Sequence, residues 1–335
     1  MTRQSIGIDN FTLALVATVT IATLLPARGV VATFFDGATV FAIALLFFLH
    51  GAKLSREAVI AGASHWRLHL TVFASTFLLF PLLGFALKPV LSPLVTPELY
   101  LGVLFLCTLP ATVQSAIAFT SIARGNVPAA ICSASASSLI GIILTPLLAG
   151  LLLGAQAPSG GGDTLHAVGK ITMELLLPFV AGQVMRTWIG GWVDRNKGLL
   201  RYVDQGSILL VVYVAFSAAV LQGLWHQVPP RALAGLLVVN GVLLALALLS
   251  TRYAARVLGF DRADEITTVF CGSKKSLASG VPMAKVLFAG HAVGVIVLPL
   301  MLFHQMQLMV CAVLAQKYAA AQQKAATPAG LGKQA

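Results

Sequence analysis

The sequence predicts an all-α polytopic membrane protein, because apolar residues dominate it and charged residues are scarce. Of its 335 residues, 58% are hydrophobic and only 10% are charged, against about 25% in an ordinary soluble domain. The mean hydropathy is +0.90, and long apolar runs recur along the chain. This composition excludes a soluble enzyme, a nucleic-acid-binding domain and a disordered chain. We expect a lipid bilayer, and no nucleic acid, as the partner of this surface.

Ten apolar stretches approach the length of about 20 residues that a helix needs to cross a bilayer. The segment 322–335 is rich in Ala, Gln, Gly and Lys and is expected to form a flexible C-terminal tail. We therefore predict ten transmembrane spans, at 11–27, 31–49, 68–90, 97–122, 127–153, 167–189, 203–222, 231–256, 263–288 and 291–316.

The net charge of +11 follows from where Lys and Arg lie between these spans. With a cytoplasmic N-terminus, 15 of the 22 cations fall on the inner side and 5 on the outer side. Cytoplasmic loops of membrane proteins carry such an excess of Lys and Arg. An even number of spans places the C-terminus inside as well. The two remaining cations, Lys274 and Lys275, fall within the ninth span.

Spans four and nine are predicted to be broken helices. In span four, Pro110 removes a backbone donor, and polar Thr112, Gln114 and Ser115 follow at once. In span nine, the polar run 272–276 separates two apolar pieces. The breaks occupy matching positions if spans 1–5 and 6–10 form two halves of opposite orientation. Such paired interruptions are typical of a transporter's binding site, although two kinked structural helices are the alternative interpretation.

The two lysines of span nine are the sharpest candidates for function. An ionisable side chain near the centre of a bilayer is unfavourable and usually faces a cavity or a partner. The alternative is that one or both extend to the lipid interface. The four cysteines, Cys107, Cys132, Cys271 and Cys311, lie in apolar stretches without a CxxC pair. We therefore expect reduced thiols, with neither a disulfide framework nor a zinc site.

Three stretches of the sequence resemble one family of carriers. They are 269–291 in span nine, 112–120 with its continuation through Arg124-Gly125-Asn126, and 178–186. Together they are similar to the bile acid:sodium symporter superfamily. The closest similarity is to its SBF-like branch, which holds bacterial carriers and an orphan vertebrate member of solute carrier family 10.

The resemblance implies two inverted five-helix repeats, 1–154 and 155–321. It also implies a panel domain of spans 1, 2, 6 and 7 and a core domain of spans 3–5 and 8–10, with spans 4 and 9 crossing at their unwound centres. Substrate would bind between panel and core in an alternating-access cycle. A monomer in the bacterial inner membrane is expected.

The sequence departs from the resemblance at the positions that hold sodium in well-studied relatives. Those positions fall on Ala116, Ile117, Ala130, Ala134, Cys271 and Lys275. Most side-chain ligands for sodium are therefore missing. We hypothesise that a lysine ammonium, Lys275 first and Lys274 second, fills the space of a sodium ion and could carry a coupling proton. A structural lysine bonded to carbonyls of span four is the equal alternative.

The sequence thus predicts a secondary carrier for a small organic anion, either bile-acid-like or a small carboxylate, and not an enzyme. No resident cofactor is expected, and coupling is to H⁺ or, through the remaining oxygens, to Na⁺. A non-transporting regulatory membrane protein is the other class of function. Glu174 is a candidate partner for a proton or ion, or an interfacial residue. The candidate site residues are Thr112, Gln114, Ser115, Ser135, Cys271, Ser273, Lys274, Lys275 and Ser276, with Ser133 as a further oxygen.

Overall fold

The computed structural model describes residues 10–53, 65–153, 164–224, 228–288 and 292–326. Within these ranges all regular secondary structure is helical, and there is no β-strand. Six of the helices are long and apolar enough to cross a membrane, judged by length and composition. The prediction of an all-α, multi-pass membrane protein is therefore confirmed.

The helices coincide with the predicted apolar stretches, and each stretch overlaps one helix or a pair of shorter ones. A short helix, Lys88–Leu91, and a 3-10 turn, Ser92–Leu94, connect the third stretch to the fourth. The main helices are α1 Asn10–Leu24, α2 Gly29–Lys53, α3 Trp66–Ala86, α4 Pro97–Thr108, α5 Gln114–Ile122, α6 Val127–Leu153, α7 Thr164–Arg195, α8 Lys197–Leu221, α9 Pro230–Val257, α10 Arg262–Gly272, α11 Leu277–Leu287 and α12 Val293–Ala326.

Both predicted breaks are observed. In span four, α4 ends at Thr108, and Leu109 adopts an extended conformation (φ −71°, ψ 154°), which the following Pro110 favours. Helix α5 already begins at Gln114, so Gln114 and Ser115, which were expected within the break, belong to the first turn of this helix. In span nine, α10 ends at Gly272, and Ser276 caps α11 by accepting a hydrogen bond from the backbone of Ser279.

The last helix extends into the segment that was predicted as a C-terminal tail. Helix α12 continues to Ala326, whereas the tail was expected to begin at residue 322. The reason is local, because 319–326 consists of Ala, Gln and Lys, which are strong helix formers. Residues 327–335 lie outside the described part of the chain.

Two sets of helices pack on either side of a cavity. Helix α2 packs along α7, and α1 and α8 pack against one another, with α8 also against α2. On the other side, α4 packs against α12 and α6, while α9 packs against α10 and α12. The α2–α7 contact is backbone on backbone: a Cβ at Gly51 would lie 2.0 Å from the carbonyl oxygen of Phe179, and one at Gly182 would lie 1.9 Å from that of Phe48.

Candidate functional site

The two helix breaks touch each other in the interior of the protein. The backbone N–H of Ser276 donates to the carbonyl oxygen of Pro110 at 2.9 Å. The backbone N–H of Ala111 donates to the hydroxyl of Ser137 on α6 at 3.0 Å. Backbone groups released by the breaks are thus satisfied by protein, as a low-dielectric environment requires.

The ammonium of Lys275 lies among three carbonyl oxygens. Its side chain is fully buried, and its Nζ donates to Thr76 at 2.7 Å, Leu109 at 2.8 Å and Cys107 at 2.9 Å. The ring of Phe80 lies 4.2 Å from the same atom, a distance that permits a cation–π interaction. All three ammonium donors are therefore used, and three carbonyls surround the charge much as they would surround a metal cation.

Local sequence explains why these carbonyls are free. In α3, residues Ser75–Leu79 form a π-turn. There the backbone N–H of Phe80 donates to the carbonyl oxygen of Ser75 rather than to that of Thr76. The next residue that could donate to Thr76 is Pro81, which has no N–H. At the end of α4, the donor that would continue the helix from Cys107 belongs to Ala111, and it is used by Ser137. Lys275 therefore binds carbonyls that the two irregular segments leave unpaired.

Gln307 on α12 fixes the backbone at this lysine. Its Oε1 accepts from the Lys275 N–H, and its Nε2 donates to the Lys275 carbonyl, both at 2.9 Å. The same Nε2 lies 3.0 Å from Nδ1 of His304, which lines the cavity. A path of hydrogen bonds therefore joins the cavity wall to the second break.

Lys274 has different surroundings, although it is equally buried. Its Nζ lies 4.5 Å from the ring centroid of Phe119 and 5.6 Å from that of Phe270. Among the described residues, Nζ makes one hydrogen bond, to the hydroxyl of Ser115, which is long at 3.4 Å. Lys274 is thus held mainly by aromatic faces, and Ser115 lies between it and the cavity.

The cavity has a volume of about 560 Å³ and lies between the two sets of helices. Five predicted site residues line it, whereas Cys271, Ser273, Lys274 and Lys275 lie behind its wall. The hydroxyl of Ser273 donates instead to the carbonyl of Val269, and the side chain of Glu174 lies outside the described residues. The five lining residues are Thr112, Gln114, Ser115, Ser135 and Ser276.

The cavity favours negative charge. Its wall contains the first turns of α5 and α11, and helix N-termini carry partial positive charge from unpaired N–H groups. Among the described lining residues there are two cations, Lys53 and Arg201, and one carboxylate, Asp204. The described lining thus combines two helix N-termini with one more cation than carboxylate.

Sequence reasoning did not find the charged residues of the α2–α8 wall. Lys53 and Arg201 were interpreted only as loop cations that set the topology, and Asp204 and His50 were not singled out. A signal was present, because Asp204 is an ionisable residue inside the predicted span 203–222, and such residues commonly mark a functional site.

Four of the six positions that the resemblance relates to sodium ligands come together in an apolar cluster. Ala116, Ala130 and Cys271 pack with Leu68 and Val72, and Ile117 packs against them. Nearby, the hydroxyl of Ser133 is 2.6 Å from Nδ1 of His69. A sodium ion prefers several oxygen ligands, as other hard cations do. The side chains at these positions supply none and do not fit the ion.

Broken helices in contact, a cavity beside them and an apolar helical body define a membrane transporter. The chain matches the protein family described as the SBF-like CPA transporter family over residues 9–320. It therefore belongs to that family, which consists of transporters and not of enzymes, as the resemblance to the bile acid:sodium symporter superfamily predicted.

Three relatives illustrate the similarity. An uncharacterised protein of Pseudomonas aeruginosa is 71% identical over 319 residues, 95% of each chain. The Escherichia coli protein named "Putative symporter YfeH" is 59% identical over 314 residues, 93% of each chain. Sodium/bile acid cotransporter 7 of Rattus norvegicus is 30% identical over 276 residues, which cover 82% of this chain and 80% of the relative.

Proposed function

We propose that the protein is a secondary active transporter of an organic anion, either bile-acid-like or a small carboxylate. The observation that carries this proposal is the cavity of about 560 Å³, into which the N-termini of α5 and α11 open beside Lys53 and Arg201. Two positive helix ends and surplus cations stabilise a carboxylate or sulfate, and apolar lining residues such as Phe179 and Leu308 suit a hydrocarbon body.

The fold supports transport by alternating access. We propose ten spans in two inverted repeats, 1–154 and 155–321, in which α4–α5 and α10–α11 are the two crossing broken spans. The panel is then α1, α2, α7 and α8, and the core is the remainder. Packing within each set supports this division, because α2 lies along α7 and α4 lies along α12. Movement of the panel against the core would expose the cavity to each side in turn.

Coupling is proposed to be independent of sodium. The ammonium of Lys275 supplies a permanent cation between the two breaks, and the apolar cluster around Cys271 replaces the side-chain ligands of the ion. Lys275 also does not line the cavity. Its position supports a role in holding the two breaks together, and the coupling ion would then bind to another group.

The protein is proposed to act as a monomer in the bacterial inner membrane with both termini in the cytoplasm. The excess of Lys and Arg on one side of the predicted spans supports this orientation. Lys53 and Arg201, which line the cavity, belong to that cytoplasmic set. The cavity is therefore expected to open towards the cytoplasm in the conformation described.

Thermal unfolding and uptake test the proposal together. Purified protein is screened with taurocholate and pantoate, each in sodium and in choline salts, and is then reconstituted into proteoliposomes with the radiolabelled anion. Stabilisation by an anion in both salts, followed by accumulation against a gradient, is the expected result. Stabilisation without uptake would favour a regulatory membrane protein, and uptake only in sodium would favour a sodium symporter.

A further inference from the structure

We propose that Asp204 carries the coupling proton. An organic anion pairs with the ammonium of Lys53, the Lys53–Asp204 ion pair breaks, and Asp204 then binds a proton. The inference rests on the proposed function and names the coupling groups of the same cavity. These groups lie on the wall formed by α2 and α8, whereas Lys275 does not line the cavity. The coupling site is thus separate from the cation that holds the two breaks together.

The ion pair itself is unevenly exposed. Lys53 is the last residue of α2, and its ammonium contacts Oδ2 of Asp204. The side chain of Lys53 is 28% exposed and that of Asp204 only 10%, so an anion in the cavity can reach the ammonium. The other oxygen of Asp204, Oδ1, is buried and has no hydrogen-bond partner among the described residues. Among the described residues, Lys53 is therefore the ion-pair partner of Asp204, and removing one partner of such a buried pair is unfavourable.

A histidine on α2 lines the same cavity as the pair. Nδ1 of His50 is 2.8 Å from the carbonyl oxygen of Leu46. Because a carbonyl can only accept, Nδ1 carries hydrogen and Nε2 is free to take up or release a proton. His50 lines the cavity and interacts electrostatically with both Asp204 and Lys53. Because Oδ1 of Asp204 has no hydrogen-bond partner among the described residues, a proton would reach this carboxylate through cavity water.

The remaining charged groups near Asp204 leave it as the proton acceptor. Arg201 lies on its own helix, and His304 lines the cavity from α12. On α7, Arg186 donates to the carbonyl of Ala52 and pairs with Asp194. Within the described part of the lining, Asp204 is the only carboxylate, and α1 contributes no titratable side chain between residues 10 and 24.

The proposed cycle balances charge without any covalent step. The substrate anion pairs with the ammonium of Lys53, Asp204 loses its counter-ion, and one proton from cavity water binds to Asp204. A monovalent anion and a proton then cross together, so the complex carries no extra charge. On the other side the anion leaves, Asp204 releases its proton, and the Lys53–Asp204 pair forms again. Transport is therefore electroneutral for a monovalent anion.

Proton uptake on binding tests the inference. The full-length protein in weakly buffered detergent receives taurocholate or pantoate, and a pH-sensitive dye reports protons while radioligand binding reports the anion. Wild type is expected to take up about one proton per bound anion. Asp204→Asn is expected to bind the anion without proton uptake and with an affinity that no longer changes with pH. Asp36→Asn, which removes the carboxylate paired with Lys285 at the far end of α11, is the matched control and should behave as wild type.

The outcomes separate this inference from the proposed function. Binding without proton uptake in wild type, or equal uptake in wild type and Asp204→Asn, overturns the coupling role and leaves an anion carrier. Absence of binding to both proteins contradicts the anion carrier as well. If Asp204→Asn does not fold, the double variant Lys53→Met with Asp204→Asn removes both charges. It should lose proton uptake and bind at least tenfold more weakly; undiminished uptake there overturns the inference.

Discussion

The ammonium of Lys275 lies 2.8 Å from the carbonyl oxygen of Leu109, the residue just before Pro110. This contact joins the break between α10 and α11 to the break between α4 and α5. Since Cys107 and Thr76 accept the other two hydrogen bonds, one side chain satisfies carbonyls from three segments. A covalently attached cation thus occupies a setting of oxygens that would suit a bound metal ion.

Replacing Lys275 by Met should destabilise the protein strongly. The substitution leaves three buried carbonyls without a donor, each unfavourable by about 1–3 kcal/mol, so thermal unfolding in detergent should shift down by many degrees. Lys285→Met is the matched control, because Lys285 forms an ion pair with Asp36 nearer the surface that contributes about 0–1 kcal/mol. Shifts of equal size in the two variants would show that the carbonyl contacts have no special weight.

A small soluble cation should restore part of the thermal stability that Lys275→Ala loses. In Lys275→Ala, the three carbonyls face the space that the ammonium has left, and ammonium or methylammonium ions can donate to them. Either salt should raise the unfolding temperature of Lys275→Ala more than that of wild type, with tetramethylammonium, which has no N–H donor, as the negative control. Equal responses in both proteins would contradict the view of Lys275 as a tethered cation.

Replacing Gln307 should destabilise the protein more than replacing a neighbouring glutamine of the same helix. Gln307→Leu removes both hydrogen bonds to the Lys275 backbone and leaves an N–H and a C=O unpaired inside the protein. We expect a loss of about 1–3 kcal/mol for each group, measured by thermal or denaturant unfolding. Gln305→Leu, two residues earlier, removes the acceptor of the Thr12 hydroxyl and should reduce stability less. A larger loss of stability in Gln305→Leu than in Gln307→Leu would contradict the role of Gln307 in holding the Lys275 backbone.

The close approach of α2 and α7 should tolerate no side chain. A Cβ at Gly51 would lie 2.0 Å from a backbone oxygen of α7, so Gly51→Ala must separate the helices and reduce stability. Gly37→Ala, in the same helix, meets no atom within 4 Å and should be neutral or stabilising by up to about 1 kcal/mol, because Ala is the better helix former. Similar unfolding temperatures for both variants would contradict the described packing.

Both breaks could be predicted from the sequence because their causes are local. Pro110 and the polar run 272–276 interrupt apolar stretches that are otherwise continuous. The contact of Lys275 with carbonyls of span four was one of two alternatives, and the observed geometry agrees with it. Overall composition also predicted the class of the protein, since scarce charge is a property of the whole chain.

The rest of the site depends on contacts that sequence patterns do not encode. Thr76 lies 199 residues from Lys275, and its carbonyl is free only because a π-turn shifts the hydrogen-bond register of α3 by one residue. Lys53 and Asp204 are 151 residues apart, and each alone resembles a residue near the membrane surface. Their ion pair follows from the packing of α2 against α8 around one cavity.

The central claim is that this protein binds its anion without sodium, and the sodium dependence of anion binding tests it most directly. Binding of radiolabelled taurocholate or pantoate to the purified protein is measured at constant ionic strength in sodium chloride and in choline chloride. The account predicts the same dissociation constant in both salts, because Lys275 and the apolar cluster around Cys271 leave no need for the ion. A dissociation constant at least tenfold higher without sodium, about 1.4 kcal/mol, would contradict it.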